Sequence, residues 1–476
     1  MREYVRQALE LVKKDHKYKD HKYIVLELPT GYGKTVAGPH LYRAYRELKL
    51  CFKAIHVFPL RTLLHKTLEN YTKRHGDIEF TYQDGDVSLT KRGYIKDPYF
   101  SGEYVLTTLD SFVHNLFKAP VSELQRLAKG APLHYHTPFA NIYPSCVFFD
   151  EAHVATLDEG GKAAAALRAA VDILKEMDVP VVVMSATMGE WKREFFRDFK
   201  FIEYRGGDDF EKLLESVEYE TYVIEEGEVV EVARREAARG RRVLVVVNNI
   251  KKAVQWSIEL GAVLIHSMLT RFDRAKAEEQ LSSAKIVVGT SAIEAGVDVN
   301  FDVLITSADS PESVVQRVGR VCRYGGSCRG SIYIFGKDAE RYLGVREWRL
   351  PHKPGSYASI LRNRVEPRED LEWLLRQVAR EIYIDPKMLS EMFEKYRYSY
   401  VREDLLVEVS VGEEYDPQYA FPASLSRIDF EVYDIVDKSP VPKDERWKWL
   451  VSKVRERGDF PILYTRQYRP GLGPYG

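Results

Sequence analysis

The sequence lacks membrane spans, a leader and a zinc-binding cysteine set. No apolar run reaches the roughly 20 residues that a membrane helix needs, and the N-terminus enters an amphipathic pattern and not a signal peptide. Only four cysteines occur. Cys322 and Cys328 are near each other, but no second pair completes a zinc site, so we interpret both as small apolar residues. These features predict a cytoplasmic protein without a membrane partner.

The sequence also lacks an excess of charge of either sign, because its net charge is −1 at pH 7. This value neither indicates nor excludes nucleic acid, since a local basic track can bind DNA on an otherwise acidic surface. A length of 476 residues exceeds one ordinary hydrophobic core and predicts two or three domains.

Short apolar runs alternate with helical patterns over the first two thirds of the chain, which is typical of parallel sheets covered by helices. One series of predicted strands comprises residues 24–26, 54–58, 105–106, 147–149 and 181–184. After a linker at 206–209, a second series comprises residues 243–247, 263–265, 286–288, 303–305 and 332–335. We therefore predict two α/β domains, 1–205 and 206–337, and a mainly helical accessory domain, 338–476, with a mobile tail.

A glycine loop follows the first predicted strand and precedes a helical pattern. Residues 28–35 read Leu-Pro-Thr-Gly-Tyr-Gly-Lys-Thr, and such a loop surrounds phosphates with backbone N–H groups. Thr30, Gly31 and Gly33 would form the cradle, Lys34 would neutralise the β- and γ-phosphates of ATP, and Thr35 would ligate Mg²⁺. The general pattern begins with glycine where this loop begins with leucine, a variant that points to helicases.

Two adjacent carboxylates follow the predicted strand at 147–149. Asp150 would hold Mg²⁺ through its water shell, since this cation prefers oxygen ligands and keeps waters. Glu151 would orient and deprotonate the water that attacks the γ-phosphate. Without the phosphate loop, such an acidic pair would be interpreted as a solvated turn. Because the chain contains that loop, we predict that the loop and the acidic pair are parts of one ATP site.

The second α/β domain offers the residues that would complete the site. In the segment 316–323, Arg320 and Arg323 are three residues apart, which places them on one face if the segment is helical. Both would act as arginine fingers on the γ-phosphate, with Gln316 near the attacking water. An isolated pair of arginines at this spacing would be interpreted as the basic surface of a helix. Because Arg320 and Arg323 follow a second series of strands, we favour a role in nucleotide binding.

In their order along about 300 residues, these segments resemble the motifs of superfamily 2 helicases. The resemblance implies two RecA-like domains that clamp one ATP and move along nucleic acid. Residues 185–187 resemble the motif that couples hydrolysis to domain movement, and Asp298 would lie near the nucleotide. Gln7 is a candidate for the glutamine that reads adenine, although its surroundings fit that motif poorly.

The same resemblance implies a set of residues that contact the nucleic-acid backbone. These are Arg61, Thr62, Thr108, Asn248, His266 and Thr290. Hydroxyls and backbone N–H groups bind phosphates without reading bases, as a translocating motor requires.

Within the superfamily, the chain most resembles the CRISPR-associated helicase of type I interference systems. Members of that family often carry a metal-dependent HD nuclease domain before the helicase. Here the phosphate loop begins near residue 28 and no His-Asp dipeptide occurs. His134 and His136 would face one metal only on a strand, so we interpret them as a solvated loop. The expected partners are single-stranded DNA, a separate HD-family nuclease and an RNA-guided surveillance complex.

The sequence thus predicts an ATP-dependent helicase or translocase, and the resemblance implies single-stranded DNA as its track and 3′ to 5′ polarity. Two alternatives stay open. One is a superfamily 2 helicase of DNA repair or RNA metabolism, and the other is an ATP-gated clamp that hydrolyses little.

Overall fold

The computed structural model describes residues 1–14, 22–85, 90–91, 93–123, 126–127, 129–158, 160–294, 299–458 and 460–476. The chain divides into two compact units. The first consists of Met1–Tyr204, Arg362–Leu405 and Val451–Phe460, and the second of Arg205–Leu361, Leu406–Leu450 and Pro461–Gly476. The C-terminal residues that were expected to form a separate accessory domain are therefore divided between the two units.

The first unit is built on a parallel sheet. Its strands are β1 (Tyr23–Glu27), β2 (Lys53–Phe58), β3 (Phe80–Gln83), β4 (Thr90–Lys91), β5 (Tyr94–Ile95), β6 (Tyr104–Thr108), β7 (Ser145–Phe149), β8 (Val181–Ser185) and β9 (Lys200–Glu203). Its N-terminal helices are α1 (Glu3–Lys14), α2 (Lys34–Glu47), α3 (Arg61–Arg74), α4 (Leu109–Leu116), α5 (His136–Ile142), α6 (Lys162–Glu176) and α7 (Lys192–Phe195). The sheet order is β3-β6-β2-β7-β8-β1-β9, so the five predicted strands are the central ones.

The second unit repeats this construction. Its strands are β10 (Val217–Ile224), β11 (Val243–Val246), β12 (Val263–Ile265), β13 (Ile286–Gly289), β14 (Val303–Ser307) and β15 (Cys328–Phe335). Its helices are α8 (Asp209–Leu214), α9 (Val229–Ala238), α10 (Ile250–Leu260), α11 (Arg271–Gln280) and α12 (Pro311–Val318). The order is β10-β15-β14-β11-β13-β12 with every pair parallel. The predicted tandem of parallel-sheet folds is confirmed.

Buried residues alternate between the two faces of this second sheet, as strand geometry requires. Leu244 and Leu304 pack in one apolar cluster, whereas Val245 and Ile305, the next residues along the same strands, pack in the other. Both faces are therefore covered, which explains why the central strands are continuous apolar runs in the sequence.

The C-terminal part of the chain contains the predicted helices and, in addition, a sheet that was not predicted. The helices are α13 (Glu369–Arg380), α14 (Pro386–Lys395) and α15 (Arg446–Arg457). The strands are β16 (Leu406–Val411), β17 (Ala420–Ser424), β18 (Tyr433–Asp434) and β19 (Leu463–Thr465), in the order β17-β16-β19-β18. These strands accompany the helices that were predicted for residues 338–476.

The Pro- and Gly-rich tail after β19 was expected to be mobile, but side-chain contacts fix it to the second unit. The Tyr468 hydroxyl donates to Asp273 Oδ2 at 2.7 Å and accepts from the Thr270 N–H at 2.9 Å. The Tyr475 ring packs edge-on against Phe430. The high content of proline and glycine here gives turns that are anchored by aromatic residues.

None of the helices in the described part of the chain has the length and apolar character needed to cross a membrane.

Candidate nucleotide site and nucleic-acid-binding residues

The predicted phosphate loop connects β1 to α2 and has the backbone that its glycines allow. Gly31 and Gly33 have φ values of 82° and 98°, a region that side chains disfavour. No atom lies within 4 Å of the position that a Gly33 Cβ would take. Lys34 opens α2, and its Nζ donates to the carbonyl of Leu28 at 3.1 Å. Thr30 is partly exposed in the same loop, which presents the N-terminus of α2 as an anion site.

The phosphate loop and the acidic pair, 115 residues apart in the chain, meet in one site. The Thr35 hydroxyl donates to Asp150 Oδ2 at 2.6 Å. The Glu151 N–H donates to Asp150 Oδ1 at 2.9 Å, and Glu151 Oε1 lies 3.7 Å from Lys34 Nζ. Parallel strands end at one edge of a sheet, which is why the residues after β1 and after β7 come together.

The charge of this site suits a divalent cation. Burial and then the neighbouring Glu151 charge raise the pKa of Asp150 to about 7, and a bound cation would favour its ionised form. The Thr35 hydroxyl and the Asp150 carboxylate are oxygen donors of the kind that Mg²⁺ prefers. Among the described residues, no group of three or more acidic, histidine or cysteine side chains forms a dedicated metal cage. Such a site fits Mg²⁺, which keeps waters and substrate oxygens in its shell.

The acidic pair is linked to the segment at 185–187 that resembles the coupling motif. His153 Nδ1 lies 2.9 Å from Ser185 Oγ and 3.5 Å from Glu151 Oε2. Burial lowers the pKa of His153 to about 4, so this imidazole is neutral near pH 7. Glu151 has a φ of 46°, in the left-handed region that costs a non-glycine residue free energy. Such a held conformation is typical of functional sites.

A buried histidine that the sequence reading did not single out lies behind Asp150. His56 Nε2 is 3.8 Å from Asp150 Oδ2, and its Nδ1 is 3.0 Å from the Tyr104 hydroxyl. The Tyr71 hydroxyl, which also contacts His56, donates to the Thr35 carbonyl. Burial lowers the pKa of His56 to about 3. The sequence did contain a signal for a functional residue here, because His56 is a polar residue in the middle of the apolar run 54–58.

Glu27, the last residue of β1, joins two parts of the site. Its Oε1 accepts from the Met188 N–H at 3.0 Å, and its Oε2 pairs with Lys192. The carboxylate therefore connects the residue before the phosphate loop to the segment that follows the coupling motif. A strand-terminal glutamate carries no such information in the sequence alone.

Gln7 lies on α1, and its exposed side chain donates to Glu3 Oε1 at 3.3 Å. The start of α1 is anchored to the phosphate loop, because the Tyr4 N–H donates to the Tyr32 hydroxyl at 3.1 Å. Arg2 Nη1 donates to the Gly31 carbonyl at 2.6 Å. Gln7 is therefore on the helix that borders the loop, and its role in adenine recognition stays a prediction.

Arg320 and Arg323 do not lie on one helix face, which corrects the sequence interpretation. α12 ends at Val318, and Gly319 is its C-terminal cap. The chain then turns, because the Arg320 N–H donates to the Arg317 carbonyl at 2.9 Å, and the Arg320 carbonyl accepts from the Phe301 N–H at 2.9 Å. Cys322 then has a φ of 49°. The helix therefore ends before Arg320, and a three-residue spacing places two side chains on one face only within a continuous helix.

The rest of this segment is strongly buried. Arg317 is fully buried, with its Nε 2.7 Å from Glu294 Oε1 and its Nη1 2.6 Å from Asp309 Oδ2. Arg320 donates to the Glu294 carbonyl. Gln316 is 8% exposed, and its Nε2 has no hydrogen-bond partner within the part of the chain that is described. The predicted nucleotide neighbour, Asp298, lies outside the described residues.

Cys322 and Cys328 form a disulfide, which corrects their interpretation as apolar filler. The bond closes the short loop after Arg323, whose N–H donates to Asn300 Oδ1 at 2.6 Å. The Arg349 guanidinium donates to the Cys322 and Arg323 carbonyls, each at 3.0 Å. Two cysteines six residues apart are not a recognised zinc pattern, and a disulfide requires the close approach that only the fold reveals.

Replacing both Cys322 and Cys328 with serine is expected to lower the free energy of unfolding by about 2 kcal/mol, because a short closed loop limits the unfolded chain. Urea unfolding followed by fluorescence would measure this change. A reductant such as tris(carboxyethyl)phosphine should shift the wild-type midpoint to that of the double variant and leave the variant unchanged. A wild-type midpoint that is insensitive to reductant would contradict the expectation.

Two predicted nucleic-acid residues of the first unit lie at the start of α3, and a third caps α4. Arg61 and Thr62 are partly exposed. Thr108 is only 2% exposed, and its hydroxyl oxygen accepts from the Ser111 N–H at 3.4 Å. The side chain of Thr108 is therefore a helix cap, and its contact with nucleic acid stays a prediction.

The predicted residues of the second unit differ in exposure. Asn248 is exposed, and Thr290 is 6% exposed and accepts from the Ala292 N–H at 3.5 Å. His266 is fully buried, and its Nε2 donates to the carbonyl of Leu472 at 3.1 Å. The imidazole of His266 thus contacts the C-terminal tail of the same unit. Of the three, Asn248 has the most exposed side chain.

His136 begins α5 and His134 precedes it, so the strand on which both would face one metal is not formed.

Comparisons with known proteins agree with this geometry. A family model described as "CRISPR-associated nuclease/helicase Cas3, C-terminal" matches residues 239–326, and one described as "Type III restriction enzyme, res subunit" matches residues 1–190. The Cas3 nuclease/helicase of Methanothermobacter thermautotrophicus is 27% identical over 333 residues, which are 63% of this chain and 38% of the relative. The Cas3 helicase of Thermoproteus tenax is 26% identical over 338 residues, 66% of this chain and 56% of the relative. The chain thus spans about half the length of these relatives.

Solved structures show the same fold. The crystal structure of T. fusca Cas3 with ADP has a TM-score of 0.62 at 12% identity and covers 84% of this chain and 61% of that one. The DUF1998 helicase MrfA bound to DNA has a TM-score of 0.57 at 15% identity and covers 98% of this chain and 67% of that one. The two family models and the curated relatives therefore support the similarity of this chain to superfamily 2 helicases of the Cas3 type, and the solved structures share its fold.

Proposed function

We propose that this chain is an ATP-dependent motor that moves on single-stranded DNA and unwinds target DNA 3′ to 5′ in CRISPR interference. The observation that carries the proposal is the assembled ATP site of the first unit, where the Thr35 hydroxyl meets Asp150 at 2.6 Å beside Lys34 and Glu151. This is the arrangement that phosphoryl transfer to water requires.

The residues of the chain have separate tasks in ATP hydrolysis. The loop from Thr30 to Gly33 and the N-terminus of α2 bind the phosphates, and Lys34 neutralises the charge of the β- and γ-phosphates. Glu151 orients the attacking water and accepts its proton. Thr35 and Asp150 would hold Mg²⁺, which supplies positive charge at the phosphates when it is bound.

In the second unit, Arg320 and Arg323 stabilise the charge that develops on the γ-phosphate, and Gln316 orients the attacking water. The burial of Gln316 and Arg320 supports their part in this assignment, because fixed groups need no reorganisation during the reaction. Asp298 keeps its predicted place beside the nucleotide, and Gln7 its candidate role at the adenine ring.

DNA is held through its backbone. In the first unit, Arg61 and Thr62 at the start of α3 and the first turn of α4 after Thr108 are the proposed contacts. In the second unit, Asn248 and the turn capped by Thr290 serve the same purpose. Contacts of this kind carry no sequence information and allow the strand to advance.

The proposed partners are a separate HD-family nuclease and an RNA-guided surveillance complex. The Cas3 relatives that match the chain are described as nuclease/helicase or helicase proteins. The sequence contains no His-Asp dipeptide, so the given residues offer no HD motif for cutting. Recruitment would be tested by adding the surveillance complex on target DNA and measuring ATP turnover, which should rise only on that DNA.

The motor function is tested by ATP turnover with single-stranded DNA, with single-stranded RNA and without nucleic acid. We expect stimulation by DNA and displacement of a strand from duplexes with a 3′ tail but not a 5′ tail, because the proposed motor tracks 3′ to 5′. Stronger stimulation by RNA would favour a helicase of RNA metabolism. Turnover that does not respond to either nucleic acid, with no strand displacement, would contradict the motor.

A further inference from the structure

Asp110 lies in the first turn of α4, next to Thr108, and pairs with a residue from the C-terminal part of the first unit. Arg402 Nε is 3.0 and 2.9 Å from the two Asp110 oxygens, and Arg402 Nη2 is 2.8 Å from Oδ2. A guanidinium that engages both carboxylate oxygens is among the strongest side-chain contacts. Burial alone would raise the pKa of Asp110, but Arg402 outweighs it and holds that pKa below its usual range.

The position of Arg402 is fixed by its own backbone. Its N–H donates to Ser399 Oγ at 2.9 Å, and its carbonyl accepts from Lys162 Nζ at 3.0 Å. Lys162 Nζ also donates to the carbonyl of Tyr396 at 2.9 Å and that of Ser399 at 3.3 Å. The Lys162 ammonium group at the start of α6 thus donates hydrogen bonds to three backbone carbonyls of the turn after α14. These bonds restrict the backbone of Arg402 and hold its side chain beside Asp110.

Aromatic packing joins the same turn to α4. Tyr396, Tyr398 and Tyr400 are 1%, 3% and 0% exposed, so they are core residues and do not form a surface for stacking bases. The Tyr400 N–H donates to His114 Nε2 at 3.4 Å, and the Phe393 ring meets the His114 ring edge-on. The C-terminal turn and α4 therefore form one packed element of the first unit.

The charge of Arg402 bears on Arg61, the proposed backbone contact at the start of α3. Arg61 follows β2 and Asp110 follows β6, and these neighbouring parallel strands pair Phe58 with Thr108, so both side chains belong to the same edge of the sheet. Arg61 also contributes to the lowering of the Asp110 pKa. An uncompensated Asp110 carboxylate would attract the Arg61 guanidinium and repel a phosphate nearby. With Arg402 in place that carboxylate is already neutralised, so the positive charge of Arg61 is available to an anion.

We propose that Arg402 is a positioning residue for nucleic-acid binding, which cancels the charge of Asp110 and so leaves Arg61 to the phosphate backbone of single-stranded DNA. The inference rests on the proposed motor function. It gives part of the C-terminal region a role in the strand contact of the first unit.

The test compares Arg402→Gln, Asp110→Asn and the double variant in ATP turnover titrated with oligothymidylate. The single variant Arg402→Gln leaves Asp110 charged and should raise the DNA concentration for half-maximal stimulation about tenfold, as expected for one unscreened charge nearby. The double variant removes both charges and should return close to the wild-type value. ATP turnover without DNA and KM for ATP should stay at the wild-type values in all three variants. If Arg402 only stabilised the fold, its replacement would change these values as well.

Arg380→Gln is the matched control, because Arg380 also joins the C-terminal part to the N-terminal part through two contacts with one carboxylate, that of Glu176. It should leave the DNA titration unchanged. A double variant as impaired as Arg402→Gln, or a single variant equal to wild type, would overturn the inference. A wild-type protein that DNA does not stimulate would instead refute the proposed function, so the two failures are distinct.

Discussion

Replacement of Glu151 with glutamine is expected to lower kcat for ATP hydrolysis by about 10²–10⁴-fold, the usual contribution of a general base. Glutamine keeps the shape of the side chain but cannot accept the proton of the attacking water. The backbone of residue 151, with its left-handed φ of 46°, would be unchanged. KM for ATP should stay close to the wild-type value, because the phosphate loop and Lys34 are intact.

Steady-state turnover, with binding of a fluorescent ATP analogue measured in parallel, would separate chemistry from binding. Glu190→Gln is the matched control, since Glu190 is an exposed carboxylate of the same unit. It should behave as wild type. Turnover that is the same in Glu151→Gln as in the wild type would remove Glu151 from the mechanism and favour an ATP-gated clamp that hydrolyses little.

The strands that could be predicted from the sequence are those whose two faces are both buried. β11 is a continuous apolar run, because both faces of its sheet are covered. The edge strand β10 instead has no buried residue in Val217–Ile224, and Glu218 and Glu220 divide its first apolar residues. β9 is also an edge strand without a buried residue. The edge strand β3 is buried, but polar Thr81 and Gln83 alternate with its two aromatic residues.

The candidate ATP site could be predicted because each of its parts is a contiguous motif at the end of a strand. The phosphate loop and Asp150 need only the rule that parallel strands end at a common edge. Contacts between distant segments carry no such local pattern. The approach of His56 to Asp150, the pair Arg402–Asp110 and the contact of His266 with the tail depend on packing that residue spacing does not encode.

The interpretation of Arg320 and Arg323 failed because the end of helix α12 was not predicted. A three-residue spacing predicts a shared helix face only if the helix continues, and α12 stops at Val318. Gly319 caps that end in a right-handed conformation, so it is not the left-handed glycine that commonly ends a helix. After the helix, the disulfide between Cys322 and Cys328 closes a short loop. The spacing of the cysteines in the sequence did not show that these two would be bonded.

Substitution of Arg323 with alanine is expected to lower kcat for DNA-stimulated ATP hydrolysis by about 10³-fold or more, the effect of removing an arginine finger. The guanidinium is proposed to stabilise the charge of the transition state, so KM for ATP should change far less than kcat. Arg320→Lys should give a similar loss without emptying a buried site, because lysine keeps the charge but not the planar fork of donors.

Variants of two further arginines of the second unit serve as controls for these losses of kcat. Arg329→Ala removes an exposed side chain that pairs with Glu218 on the surface, and it should leave kcat unchanged. Arg317→Ala leaves the partly buried carboxylates Glu294 and Asp309 without their buried partner, so it should lower the unfolding temperature of the second unit. If Arg323→Ala lowers kcat with an unchanged unfolding temperature, its effect lies in the chemistry. If kcat falls only in step with stability, as for Arg317→Ala, the assignment of Arg323 as an arginine finger is wrong, because the segment then serves the fold alone.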